Sequence, residues 1–340
     1  MSNARKLADN LPSVGQLSGR NIIINGQMTI AQRNTAAHNE GNGYFSLDRW
    51  YQEKTNHDQF TYSVEQVSDA PSGFSKSLKV TTSTAETALA ADEFSRIYQS
   101  IEANNLESVG FGTATAKPLT LSFYVKSSIT GNWAASLYIY DANKIYSQPY
   151  TINSANTWEY KTLTFPALTS AGPVIDNSIG ARVIFGLFAG SNYNTATTDW
   201  TTFSNTYLIG GQTANLGGTL NATWQITGCQ LEVGSQSTPF EHEPVGVTLS
   251  KCQRYFYKEN YTSGSYTRGP HATQYETNHK FTHIFHPTTM RATPTSTPSY
   301  SGGTQTEYQP TTRHFKSYIQ SAYNDTTQRF LTAYQADAEI

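Results

Sequence analysis

From Asn21 onward, apolar and polar residues alternate with a period of two in short segments, which Gly, Asn, Pro and Ser interrupt. The clearest is 119–126, where Leu119, Leu121, Phe123 and Val125 fall on one face and Thr120, Ser122, Tyr124 and Lys126 on the other, as in a half-buried strand. The same alternation runs through 60–64, 136–140, 158–165 and 224–233. Residues 182–188 are more continuously apolar and suit a central strand covered on both faces. Residues 85–101 are ambiguous, because Phe94, Ile97, Tyr98 and Ile101 have helical spacing while Phe94, Arg96, Tyr98 and Ser100 fit a period of two. The strand reading is adopted. Gly131 and Asn132 tolerate positive φ and read as a turn between two strands. The pattern predicts an all-β chain: an antiparallel jelly-roll β-sandwich followed by a smaller C-terminal β domain.

The boundaries follow from where the pattern changes. Residues 1–20 are polar and read as an N-terminal arm outside the core, and 21–245 form the sandwich. Pro239 and Pro244 bracket extended backbone at the sandwich's end. Leu249, Cys252, Tyr255 and Phe256 have the spacing of one or two helical turns, and 246–340 form the small C-terminal β domain, rich in Tyr, Thr, His and Pro.

Composition narrows the function classes. Charged residues are 14% of the 340 and the net charge is −2, so no electrostatic footprint for nucleic acid is visible, and nucleic acid is not expected as a partner. No stretch approaches the ~18 apolar residues that span a bilayer, and no apolar run follows the basic residues near the start, so neither membrane insertion nor a signal peptide is expected. The two cysteines, Cys229 and Cys252, read as buried free thiols rather than a disulfide framework.

Candidate chemistry is sparse. His271, His279, His283, His286 and His314 cluster in the last 70 residues. On a strand His279 and His283 would share a face at roughly 6.5–7 Å, too far to chelate one ion without a second strand. Half-exposed polar positions are the preferred reading, and neither metal nor cofactor is expected. The carboxylates are dispersed, and Asp92 with Glu93 reads as a solvated loop. No nucleophile elbow, metalloprotease helix or phosphate-cradling loop is present, so an enzyme is not expected. Gly210, Gly211, Gly217 and Gly218 read as flexible loop. Exposed aromatics remain: a flat ring stacks on the apolar face of a sugar while neighbouring polar groups bond its hydroxyls. Trp133 beside the Gly131 turn, Tyr138 and Tyr140 on an outer strand face, and Trp200 are the glycan-binding candidates.

Several runs carry a resemblance. GCQLEVGSQSTPFEHE at 228–243, closely followed by KCQRYF at 251–256, resembles a signature of structural and tail-fibre-like proteins of tailed bacteriophages, especially those of marine bacteria. RNIIINGQM at 20–28, with Leu47–Trp50, is similar to their opening, and AYQADAEI at 333–340 to their ending. FHPTTMRATP at 285–294 resembles a run of the small β domain appended in such proteins, departing at His286 and Pro287. The resemblance implies a carbohydrate-binding-module type of jelly roll, and a virion protein on the tail or capsid surface. It also implies a homotrimer, attached to other virion proteins through the N-terminal arm 1–20 and contacting host-surface glycans. A short tail fibre or receptor-binding component is the leading expectation. A capsid decoration, knob or head-fibre protein and a polysaccharide-degrading enzyme are the alternatives.

Overall fold

The computed structural model describes residues 19–38, 41–55, 60–260, 273–276, 279–300, 304–320 and 331–340; most of the expected arm, 1–18, lies outside them. Two compact units divide between Glu243 and Pro244. Unit one is an antiparallel jelly-roll sandwich. Its strands are β1 (Tyr51–Thr55), β2 (Thr61–Val67), β3 (Ser77–Thr84), β4 (Phe94–Glu102), β5 (Leu119–Ser127), β6 (Gly131–Ile139), β7 (Lys144–Ile152), β8 (Glu159–Phe165), β9 (Ile179–Ala189), β10 (Thr201–Thr202) and β11 (Thr223–Val233). One sheet has the order β1-β4-β9-β6-β7-β10, the other β2-β3-β11-β5-β8.

The period-two pattern decides which residues meet between the sheets. Leu119, Leu121, Phe123 and Val125 of β5 are buried with Trp133, Ala135 and Leu137 of β6, and Val183 and Phe185 of β9. Aromatic rings bridge the layers: Phe123 meets Phe185 edge-on at 5.1 Å, and Trp133 lies 6.5 Å from Trp224, whose indole N–H donates to the Tyr150 hydroxyl at 3.3 Å. β9 is the expected central strand, between β4 and β6. The ambiguous segment is strand over 94–102, buried along its whole length. β5 is more than half buried, because its outer face is also partly covered: Thr120 Oγ1 donates to Gly234 O at 2.7 Å. The glycine pairs are not flexible loop. A Cβ on Gly210 would stand 2.4 Å from Thr195 O, and Gly217 packs between Phe188 and Phe60, so these positions are glycine for want of space.

The signature residues knot the sandwich's edge. Glu232 is buried, and its carboxylate accepts Thr238 N at 2.8 Å and Thr238 Oγ1 at 2.6 Å. Gln230 Oε1 accepts Glu241 N at 2.8 Å, and the Glu241 carboxylate accepts three consecutive backbone N–H groups, from Gly19, Arg20 and Asn21, at 2.5–2.9 Å. Asn21 then bonds β11 through Cys229 O and Leu231 N. A carboxylate between backbone donors makes charge-assisted bonds, stronger than neutral ones. Glu232 and Glu241 thus have structural roles.

Among its described residues, unit two contains a short helix, α1 (Val245–Gln253), and two antiparallel sheets. The three-stranded sheet is β12 (Phe256–Asn260), β18 (Leu331–Asp337) and β15 (Thr295–Tyr300). The four-stranded sheet is β13 (Thr273–Glu276), β14 (His279–Phe285), β17 (His314–Gln320) and β16 (Thr304–Pro310). The core of unit two includes Ile284, Met290, Phe315, Tyr334, Ala336 and Ala338. Cys229 and Cys252 are buried, with no disulfide joining them, and burial raises the Cys229 pKa well above the ordinary range.

Candidate functional site

Alternation along the six-stranded sheet sends a second set of residues to its outer face. Cross-strand register places Tyr51 opposite Tyr98, Glu53 opposite Arg96, Ser100 opposite Arg182, and Arg182 opposite Tyr138. Part of this face is roofed by residues 190–212. Tyr193, Leu208 and Ile209 bury Phe94, Ala134 and Ile184, and the roof seats closely because a Cβ on Gly186 would stand 2.1 Å from Ile209. The rest of the face carries a chain of stacked rings and cations. Tyr51 stacks on Tyr98 at 4.8 Å, the Arg182 guanidinium lies 4.9 Å from Tyr98 and 5.2 Å from Tyr140, Tyr140 meets Tyr138 at 5.3 Å, and Tyr138 stacks on Phe203 at 4.4 Å.

The hydroxyls of Tyr51, Tyr98 and Tyr138 stay protonated. Burial pushes Tyr98 up to about 12 and also raises Tyr51 and Tyr138, with Arg182 pulling each the other way. They therefore act as neutral hydrogen-bonding groups beside apolar rings, which suits a polyhydroxylated ligand.

The four aromatics expected from sequence fall in different places. Tyr138 and Tyr140 come together here, Tyr138 half-buried with its hydroxyl donating to Asn143 Oδ1 and Tyr140 41% exposed. Trp133 does not. The turn reading of Gly131 was off by register: Gly131, at φ +118°, opens β6 itself, so Trp133 is the strand's third residue and points into the core with Ala135 and Leu137, 0% exposed. Trp200 is half-buried, its indole N–H donating to Pro166 O at 2.8 Å and its ring against Phe111 and Tyr146. It anchors a loop. Tyr51, Tyr98, Arg182 and Phe203 were missed. The period-two reading of 94–100 already carried Tyr98, whereas Arg182 was hidden at the head of a run read as apolar on both faces.

A second aromatic cluster covers the five-stranded sheet. Phe74 contacts Tyr124, Phe240 and His242, and Tyr124 contacts Tyr160. Its cation is neutralised: Lys126 over Trp158 pairs with Asp69, which also accepts the Trp158 indole N–H.

The carboxylates near the open face are engaged. Glu53 Oε2 takes the Arg96 Nε and Nη2 donors at 3.0 and 2.7 Å, and Asp141 accepts Val174 N. Asp92 and Glu93 are not a matched solvated pair, since Glu93 is buried and accepts Ala90 N at 2.6 Å.

In unit two, His283 faces His314 across β14 and β17 with ring centres 4.8 Å apart. The strand face expected to carry both His279 and His283 involves a side chain outside the described residues, and His271 lies outside them altogether. Among the described residues no three His, Cys, Asp or Glu side chains converge as metal ligands. His286 is buried: its Nδ1 contacts Thr312 O at 3.3 Å, which makes that nitrogen the donor, so Nε2 accepts the Tyr334 hydroxyl at 2.8 Å. Burial holds its pKa below the usual 6.5, and His314 adds to the effect. A base whose folded pKa is depressed contributes stability that is present above the unfolded pKa and is lost as pH falls below it, because the unfolded chain binds the proton more readily. Unit two is therefore expected to melt at a lower temperature at about pH 5 than at about pH 7.5, and His286→Gln to flatten that dependence. Thermal melts of both proteins across this range check it.

No protein-family profile matches the chain, and no curated protein does. Among solved structures, the enzymatically active domain of bacteriophage CBA120 tailspike protein 4 is similar over 63% of this chain at 14% identity and a TM-score of 0.33; the chain spans 21% of that protein's length. The family 11 carbohydrate-binding module of a Clostridium thermocellum cellulosomal cellulase is similar over 61% of this chain and 99% of its own, at 11% identity and a TM-score of 0.31. The module TmCBM61, solved with β-1,4-galactotriose, is similar over 64% of this chain and all of its own, at 9% identity and a TM-score of 0.30.

Proposed function

We propose that this protein is a virion appendage of a tailed bacteriophage, a short tail fibre or receptor-binding component, whose first unit holds host-surface glycans on the open outer face of its six-stranded sheet. The observation that carries the reading is the accessible Tyr138 and Tyr140 pair, continuous with Tyr98 and Tyr51 through the Arg182 guanidinium. The runs at 20–28 and 228–256 support the virion context. Asn21, Gln230, Glu232 and Glu241 within them are spent on knotting the sandwich, in keeping with motifs that mark a protein type without marking a ligand site. We propose binding without cleavage, since Glu53 and Asp141, the carboxylates near the rings, already have partners. A homotrimer, attached to other virion proteins through the N-terminal arm, would give several weak contacts a high effective concentration.

Tyr140→Ala and Tyr138→Ala are each expected to weaken binding of the full chain to purified host-surface polysaccharide by ~10-fold, about 1.4 kcal/mol. Tyr140→Ala should lower the melting temperature only slightly, since the ring lies at the surface, 41% exposed, and packs on Tyr138 and Arg182 from one side. Undiminished binding by both variants would remove this face from consideration. Gold-labelled antibody on intact particles tests the location: label at the tail supports the fibre reading, and label over the head moves the protein to capsid decoration.

A further inference from the structure

We infer that the sugar taken by this face is acidic, with Arg182 receiving its carboxylate; the inference rests on the glycan-binding reading and specifies its ligand. Two arginines stand on the outer face, and both stack on Tyr98. Arg96 lies 5.0 Å from that ring and is neutralised by Glu53. Arg182 has the same stacking and a different balance. Tyr98 and Tyr140 lie against the guanidinium, and its Nε donates to Ser100 Oγ at 3.3 Å. Nη1 and Nη2 have no protein partner among the described residues and are not sealed from solvent in this half-buried side chain. No carboxylate among the described residues pairs with it. Asp141, the other acid near these rings, is turned to Val174 N.

This arrangement has consequences for what can bind. Rings on the guanidinium plane displace water from its faces and hold it in one orientation, leaving the planar edge with its parallel N–H donors. Such an edge matches a carboxylate bidentately, as Arg96 and Glu53 show in miniature, except that there both bonds end on one oxygen. A uronic-type pyranose carries its carboxylate at the ring's rim. With the sugar stacked on Tyr140 or Tyr138, that rim would meet Arg182, which is 5.2 Å from Tyr140 and directly opposite Tyr138 in register. A neutral sugar would use the rings and leave the charge unused.

The test compares binding of the full chain to a polyuronate, to the same polymer with its carboxyl groups reduced to alcohols, and to a sulfated neutral polymer. Wild type is expected to prefer the polyuronate over its reduced form by ~10-fold or more, in keeping with one charge-assisted pair. Arg182→Gln should abolish the preference while still binding the reduced polymer, and Arg182→Lys, which keeps the charge without the fork, should fall between. Equal binding of the polyuronate and its reduced form by wild type would overturn the inference, as would unaltered preference in Arg182→Gln. If Tyr140→Ala still weakened binding in that case, the glycan reading would stand alone. Sulfated polymer bound as tightly as polyuronate would reduce Arg182 to a nonspecific charge and likewise overturn it. Failure of every polymer to bind would sink both readings. The wild-type comparison needs no variant to fold.

Discussion

Trp133→Ala is expected to destabilise the sandwich by about 3–5 kcal/mol, the range for deleting a fully buried large aromatic side chain. The indole is 0% exposed and bridges the sheets toward Trp224. Truncation opens a cavity that neighbours fixed in two hydrogen-bonded sheets cannot collapse into. The indole N–H is buried without a partner, so Trp133→Phe removes an unmet donor along with some volume. It should cost far less, about 1 kcal/mol or under. Denaturant unfolding of the two variants checks both numbers. If Trp133→Ala were as stable as wild type but lost glycan binding, the placement of this residue in the core would be wrong.

Gly26→Ala should be nearly as damaging, for the opposite reason. A Cβ at this position would stand 2.1 Å from the Cys229 carbonyl oxygen. Neither side can yield easily. Cys229 N donates to Gly26 O at 3.0 Å, and the preceding Asn25, buried at φ +60°, donates to Ile30 O and Asp48 O and receives the Trp50 indole N–H. Forcing one methyl group into a bolted backbone contact costs about 2–3 kcal/mol or more. For a unit of this size that is a drop of several degrees in melting temperature. A variant within ~2 °C of wild type would show that the turn and β11 can separate without penalty.

Much of the sandwich was legible because burial acts on alternate residues: Leu119 to Val125 announce their face whatever packs against it. Register was less legible. Gly131 looks like a turn and is a strand opening, and that slip of a few positions turned Trp133 from the core to the surface. The open face was half legible for a related reason. Tyr138 and Tyr140 alternate visibly, but Tyr98 and Arg182 become their neighbours only through the order β4-β9-β6, which sets Tyr98 opposite Ile184 and Arg182 opposite Tyr138, segments far apart in the chain. Trp200 shows the remaining limit, since no local pattern reveals that a loop indole will find Pro166 O. The signature at 228–243 was easy to see and hard to interpret, because its logic lies in bonds to Gly19 through Asn21, over 200 residues away.

Those bonds also decide how the sandwich would respond to force. Where the chain enters, at Gly19 to Asn21, it is fastened to the segment where it leaves, at Glu241. A pull along the chain would therefore be taken first by one carboxylate and three backbone amides, with the two sheets hanging to one side of the load path. The sandwich behaves as a pendant on a clasp: tension that would unzip strands joined in series reaches these only after Glu241 lets go.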